Sequence, residues 1–426
     1  MPASAFIPGK KLCDTAFPLT DKSEVDSLKW SVQFGKSSRA YQADAEGYVK
    51  ISSIEAIPVS VRVENGAKLA IGRAIKRDAV VVKVTTEDGV VGYGEAHHAR
   101  SAAVIAEIVN TTLKDIVLPA RADDVVGIWD KFYQWQLRSH GLGSASATAI
   151  SGVDMALWDV RARAVGWPLW KLLGGSAERK VKAYAGGVAL GWQEPSELLD
   201  ELAPHIEAGY KAVKLRVGDT PERDIARVSA VRKAHGGDLV ILVDGNTGYS
   251  LDDVRKVMPA YEELGVSWLE EPFAPTDYRS YAAAARIGRV PLAAGENHFT
   301  RFDFARLIED GIVTILQPDL SKAGGVTEVM RIAHTASTWR LPICPHTSIT
   351  ALNMAATIHL LKSIDNAGYF ESDVSRGNPF REAMGTLPYR IESDGCVTLP
   401  DGPGIGIDID DAFLRAHPYI PGRNFV

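Results

Sequence analysis

The sequence predicts a closed parallel α/β barrel joined to a smaller α+β domain, and three observations carry that reading. From Val181 to about Glu371, short apolar runs alternate with amphipathic segments at a steady spacing, the pattern of repeated strand–helix units. Three of those runs end in Asp244, Glu270 and Glu296, which stand roughly 26 residues apart, about the length of one strand–loop–helix–loop unit. Each carboxylate also lies beside a Gly, Asn or Pro that breaks the strand, in Asp244-Gly245-Asn246, Glu270-Glu271-Pro272 and Gly295-Glu296-Asn297. Parallel strands repeated at one period bring their C-terminal ends to one rim, where such barrels carry their chemistry.

At 426 residues the chain exceeds one ordinary domain. Apolar residues at 46% and charged residues at 23% are a globular composition with material for a sizeable core. A net charge of −6 without any Lys/Arg block gives no support to a nucleic-acid or anionic-membrane partner. Cys13, Cys344 and Cys396 are far apart, match no metal or disulfide spacing, and fit a reducing cytoplasm. Met1 to Asp14 lacks the apolar core of a signal peptide, and no stretch is long enough to span a bilayer. The expectation is a cytoplasmic protein acting on a small molecule.

Residues 1–50 are aperiodic and read as an extension, with a short helix near Asp26–Gln33. Residues 51–180 follow as an α+β domain. Ile54 to Val61 reads as a strand in which Pro58 marks an edge or a bulge. Ala79–Thr85 and Val90–Gly94 flank Glu87-Asp88-Gly89, a hairpin turn. Helical patterns cover Ala102–Leu113, Asp123–Trp135 and, most regularly, Ser146–Ala164, where Ile150, Val153, Leu157 and Val160 form one apolar stripe ended by Gly166 and Pro168. Barrel strands are expected at Val181–Ala185, Ala212–Val217, Val240–Val243, Val266–Leu269, Pro291–Ala294, Val313–Gln317, Leu341–Cys344 and Tyr369–Phe370. An open doubly wound sheet is the alternative, but its Gly-rich dinucleotide fingerprint is missing. After Met384 the sequence turns β-like and turn-rich, and residues 386–426 are expected to complete the first domain's sheet.

Other strand ends are reactive too. The second ends Lys214-Leu215-Arg216, whose alternation points Lys214 and Arg216 to one face. The sixth ends Gln317-Pro318-Asp319, followed by Lys322; the seventh ends Cys344-Pro345-His346 and the eighth Phe370-Glu371. Strands six and seven are neighbours, so Asp319 can orient the His346 ring as a general base requires. Singly, each residue has an ordinary reading: a turn, a solvated loop, a structural histidine. Recurrence at one period on one rim argues against that, and three carboxylates sharing a rim call for a hard cation, Mg²⁺ first.

Lys214-x-Arg216, Asp244-Gly245-Asn246, Glu270-Glu271-Pro272, Gly295-Glu296-Asn297, Asp319 with Gly324-Gly325, His346 and Glu371 together resemble the mandelate racemase/muconate lactonizing enzyme group of the enolase superfamily, from about Ile51 to the C-terminus. The resemblance implies a modified (β/α)₇β TIM-type barrel at 181–385. Over it would lie an α+β capping domain formed by N-terminal and C-terminal segments. It assigns Mg²⁺ to Asp244, Glu270 and Glu296, and the general base to His346 supported by Asp319. Lys214 would face the substrate carboxylate, and Glu371, protonated or sharing a proton, would hydrogen-bond that carboxylate or the developing enediolate. A homo-oligomer is implied as well. The chain departs from the group at Arg216, where many members carry a second lysine base; a guanidinium is a poor proton acceptor.

One base that removes an α-proton and then protonates a departing β-hydroxyl suits a Mg²⁺-dependent dehydratase of a sugar acid, an aldonate or aldarate. The alternatives are an epimerase or racemase, a lactone cycloisomerase, and a non-catalytic sugar-acid binder, which would not need the metal carboxylates or the His–Asp pair. The loops Glu64–Asp78 and following Glu95 carry Lys68, Arg73, Lys76, Arg77, His97, His98 and Arg100, a cationic lid expected to reach the sugar. Asn246 and Lys322 are further substrate-binding expectations on the rim.

Overall fold

The computed structural model describes residues 49–426, apart from Asn65, Pro119, Leu142, Val188, Leu387, Pro388, Pro400 and Asp401. The expected N-terminal extension, with its helix near Asp26–Gln33, lies outside these residues except for Val49 and Lys50. Among the described residues no helix is long and apolar enough to cross a membrane.

The capping region starts with an antiparallel meander of β1 (Ile51–Arg62), β2 (Lys76–Thr86) and β3 (Val91–Ala96). Pro58 sits on β1, at the edge of that order, where its missing N–H costs no ladder bond. The β2–β3 hairpin closes through Gly89 at φ +85°, whose N–H donates to the Thr86 carbonyl. Helices α1 (Ala102–Ile108) and α2 (Val125–Phe132) each run on into a wider turn, at Val109–Leu113 and Tyr133–Leu137. Helix α3 (Ser144–Ala164) buries the predicted stripe of Ile150, Val153, Leu157 and Val160 against the sheet. Glycine makes that approach possible: a Cβ on Gly94 would stand 2.2 Å from the Gly152 carbonyl oxygen.

The barrel strands are β4 (Val181–Gly186), β5 (Ala212–Arg216), β6 (Val240–Asp244), β7 (Val266–Glu270), β8 (Leu292–Ala294), β9 (Ile315–Leu316) and β10 (Tyr369–Asp373). They pair in parallel from β4 to β9, and β10 pairs back with β4. The seventh strand, expected over Leu341–Cys344, is reduced to one bridging residue: Ile343 pairs with Leu316 on one side and Ala367 on the other, which closes the ring. Pro342 and Pro345 flank it, and neither has an N–H to extend the ladder. Local signals start the intervening helices. Thr220 caps Pro221–His235 by accepting from the Arg223 N–H, and Ser250 forms a reciprocal capping box with Asp253.

Inside the barrel, Tyr184, Ala212, Leu242, Trp268, Ala293 and Cys344 pack as one apolar plug. Strand periodicity then points residues two positions further on, Lys214, Asp244, Glu270 and His346, inward above the plug. The tail departs from expectation. Arg390–Ile391 pairs with Cys396–Thr398, which in turn pairs with the start of β4 and not with the capping sheet. Only from His417 does the chain run along β1, where the Ser60 N–H donates to the His417 carbonyl.

Candidate active site

Register places the rim. Arg216 pairs with Asp244, and Asp244 with Glu270, on adjacent strands. Lys214 is fully buried among three carboxylates: Nζ lies 2.6 Å from Glu270 Oε1, 2.8 Å from Glu371 Oε1 and 3.4 Å from Asp244 Oδ2. Arg216 donates to Asp244 Oδ2 and the Gly187 carbonyl, and to Asn246 Oδ1 at 3.1 Å. Burial opposes charge on both cations, but the surrounding carboxylates outweigh it and raise both pKa values. Neither is a proton acceptor in this arrangement.

His346 is held on both ring nitrogens, Nδ1 by Asp319 Oδ2 at 2.6 Å and Nε2 by Glu296 Oε2 at 2.9 Å. Burial would lower its pKa, but Glu296 and Asp319 push it up to about 10. Asp319 is itself fixed, its Oδ1 accepting from the Ser321 N–H, the Ser321 hydroxyl and Asn353 Nδ2. Glu371 was expected to be protonated or to share a proton, and its Oε1 lies 2.8 Å from the Lys214 ammonium. Burial would raise its pKa, but Lys214, His346 and Arg216 bring it down to about 2. Its Oε1 also accepts from the Gly187 N–H, and its Oε2 from the Thr347 N–H.

Above the rim is a cavity of about 420 Å³. Arg216, Asn246, Glu296, Lys322 and His346 line its floor and sides, and His97, His98 and Arg100 line the lid. Lys214, Asp244, Glu270, Asp319 and Glu371 lie outside this lining, so Lys214 does not face the cavity as expected. His97 and His98 stack at 4.3 Å, and each Nδ1 accepts a backbone N–H two residues on, from Ala99 and Arg100. Burial holds both rings neutral, His98 to about 4. Other lid cations do not reach the cavity. Lys76 is buried on Asp78 and the Ile420 carbonyl, and Arg77 donates to Ser375 Oγ and the Ser348 carbonyl. Lys68 lies over the Trp192 ring, and Arg73 donates to the Gly66 carbonyl.

The three expected metal carboxylates are on one rim, but Glu296 is turned to His346. Among the described residues no three His, Cys, Asp or Glu side chains are grouped to hold a metal ion as they stand. The donor chemistry nevertheless fits a hard cation. Asp244, Glu270, Glu271 and Glu296 offer only carboxylate oxygens. Burial, then Asp244, pushes Glu270 up to about 8; burial, Glu296 and Asp244 push Glu271 well up, and Glu271 Oε1 is buried without a partner. Crowded, dehydrated carboxylates of this kind are relieved by a cation.

Several residues of the site were not assigned from sequence. Gln317 Nε2 donates to Glu270 Oε2 at 2.6 Å, and Asn297 Nδ2 to Glu271 Oε2 at 2.6 Å. The -Gln317-Pro318- strand end held the first signal; Asn353, within a helix, held none. Asn246, Thr247 and Glu271 are left-handed at φ 42°, 61° and 32°, a strain of about 1 kcal/mol or more each that aims side chains into the cavity wall. Leu69, Ile71, Phe299, Ile349 and Phe425 add an apolar lining.

Residues 53–174 match the family model for the mandelate racemase/muconate lactonizing enzyme N-terminal domain, and residues 197–413 that for the enolase C-terminal domain-like family. An arabinonate dehydratase from Saccharolobus solfataricus is 33% identical over 80% of this chain and 90% of its own. A D-galactarolactone cycloisomerase from Agrobacterium fabrum is 31% identical over 85% of this chain and 97% of its own. The crystal structure of an enolase superfamily member from Polaromonas sp. JS666 superposes with a TM-score of 0.86 at 49% identity, over 88% of this chain and all of that one. A racemase from Streptomyces coelicolor A3(2), solved with bound magnesium, gives 0.79 at 28% identity over 86% of this chain and 99% of that one.

Proposed function

This chain belongs to the mandelate racemase/muconate lactonizing enzyme family of the enolase superfamily, and from that premise we propose that it is a Mg²⁺-dependent dehydratase of a sugar acid, an aldonate or aldarate. The observation that carries this reading is that His346, oriented by Asp319, lines the cavity, whereas the cations of β5 are committed to carboxylates and a backbone carbonyl. Asp244, Glu270 and Glu296 would hold the cation, which supplies positive charge to the substrate carboxylate as its α-proton is removed.

His346 Nε2, once Glu296 has left it, takes the α-proton, and the C–H electron pair forms the enediolate. Buried cationic groups, Lys214 and Arg216, stabilise that added charge without reorganising. The enediolate then expels the β-hydroxyl as the C–O bond breaks, and His346 returns its proton to that oxygen, so water leaves. The resulting enol tautomerises to a 2-keto-3-deoxy acid. A single acid–base group on one face favours dehydration over epimerisation, which needs a second such group opposite His346 to deliver a proton to the other face of the enediolate.

The test is turnover of a sugar-acid library with Mg²⁺, read as 2-keto acid. A product of unchanged composition, an epimer or an isomerised lactone, would replace this reading with epimerase or cycloisomerase.

A further inference from the structure

The tail of the chain returns to the cavity. Between Leu69 and Gly72 the lid makes a tight hairpin, Lys68–Leu69 pairing with Gly72–Arg73. Residues 424–426 lie along its outer strand: the Arg73 N–H donates to the Val426 carbonyl at 2.7 Å, the Val426 N–H to the Arg73 carbonyl at 2.9 Å, and the Ile75 N–H to the Asn424 carbonyl at 2.9 Å. Ala74 and Phe425 form the antiparallel bridge between them. The fit is close, since a Cβ on Gly72 would stand 2.8 Å from the Val426 carbonyl oxygen. On its other side the hairpin tip rests on the barrel rim, where a Cβ on Gly248 would stand 2.6 Å from the Ala70 Cβ. The hairpin is therefore clamped between tail and rim. Its Leu69 and Ile71 line the cavity together with Phe425, and the Arg100 guanidinium lies 5.4 Å from the Phe425 ring centroid.

We infer that Phe425 is a specificity-determining residue and that Asn424–Val426 is the latch that holds the lid hairpin at the cavity, so that tail and hairpin together form the wall against the substrate's carbon chain. The inference rests on the sugar-acid reading only for the identity of the substrate. An apolar wall is suited to C–H faces and discriminates by contact area, which in such pockets separates neighbours by roughly 10- to 200-fold. A loosened wall should raise KM and flatten that ranking, because the contact is made in ground state and transition state alike.

The experiment measures KM and kcat for the preferred sugar acid and for homologues one carbon shorter and longer, in wild type, Phe425→Ala, Phe425→Leu and a chain lacking residues 424–426. Phe425→Ala should raise KM about 5- to 20-fold on the preferred substrate and shrink its preference over the homologues. Phe425→Leu should restore most of both, and the shortened chain should behave like Phe425→Ala or worse. Hydrogen exchange supplies a readout that needs no substrate: without residues 424–426 the Arg73 and Ile75 amides should exchange faster, with the barrel amides unchanged. An unchanged KM and ranking in Phe425→Ala, or an equal fall in kcat on every substrate, overturns the specificity role. Unchanged exchange at Arg73 and Ile75 overturns the latch. If wild type turns over no sugar acid, the functional reading fails while the exchange result still decides the latch.

Discussion

Lys214 and Arg216 on the barrel rim and Lys76 and Arg77 in the lid are both buried cation pairs at a strand terminus, the first pair where β5 ends and the second where β2 begins, yet only one of the four touches the cavity. On the rim, direction is imposed by a parallel ladder. Each strand repeats the last, so the residue two positions beyond the plug points inward whichever strand it is on. In the lid no repeat exists. Lys76 and Arg77 begin β2; Lys76 is held by Asp78 on the same strand and by the Ile420 carbonyl, and Arg77 by Ser375 and Ser348 from distant segments. A buried cation is held where its partners are, and partners set by the tertiary fold leave no spacing to read. Charge near a strand end predicts chemistry where parallel strands repeat and bring their ends to one rim.

The largest test of that difference is at His346. Changing His346→Asn should remove both α-hydrogen exchange and dehydration, a loss of about 10³-fold or more, with the fold intact. Arg216→Ala should slow turnover but leave exchange measurable. An NMR time course of substrate in D₂O with both variants decides it; exchange persisting without His346, or an α-epimer accumulating in wild type, would show a second base on the rim. Next comes the carboxylate set. Glu270→Gln or Asp244→Asn should weaken Mg²⁺ binding by titration calorimetry and cut turnover by about 10²-fold or more. Full activity in excess chelator contradicts it.

The seam between the two regions gives an intermediate effect. Two buried acids of the capping domain meet the first turns of barrel helices: Glu95 accepts from the Thr350 N–H and hydroxyl, and Asp154 from the Thr327 N–H. Burial, against the pull of those donors, pushes Glu95 up to about 8 and Asp154 up to about 7. A carboxyl whose folded pKa is raised binds its proton more tightly in the native state. Its contribution is therefore fully present below the unfolded pKa and is lost as pH rises through the folded one. Wild type should lose on the order of a few kcal/mol between about pH 4.5 and 8, and Glu95→Gln with Asp154→Asn should flatten that slope. Urea unfolding at pH 5 and pH 8.5 measures it, and identical slopes refute it.

The smallest effect belongs to the lid. His98→Ala or Arg100→Ala should raise KM by about 3- to 30-fold or change the preferred sugar acid, with Mg²⁺ affinity unaltered. If neither variant moves the kinetic constants, the lid is a cover and the rim alone selects the substrate.

What the sequence disclosed follows the same line. The barrel, its strand order and the rim residues from Lys214 to Glu371 were legible because the repeat of about 26 residues is itself the structural unit. The predicted stripe of α3 was legible for a similar reason, its period being that of the helix. The seventh strand was overread: Leu341–Cys344 has strand composition, but Pro342 and Pro345 leave it a single bridge. Asn353 and Thr347, which hold Asp319 and Glu371, could not be found, since only the folded barrel brings them there. The pairing of Glu371 with Lys214 had no signal in the sequence, because the two come within 2.8 Å only in the folded barrel.

The tail that edges the capping sheet also imposes an order of events. Lys76 and the Ile420 carbonyl that accepts its hydrogen bond are separated by 344 residues. At ribosomal speeds of about 5–20 residues per second, roughly 20–70 s pass between the emergence of one and of the other. A capping sheet formed within that interval would have an open edge on β1 at Ser60, where the His417 carbonyl sits in the finished fold. Open edges recruit strands from other chains, and a proline within the edge, here Pro58, is a standard deterrent. A capping sheet formed before the barrel is complete would be shielded in this way, and Phe425 reaches the cavity wall only once residues 417–426 have docked.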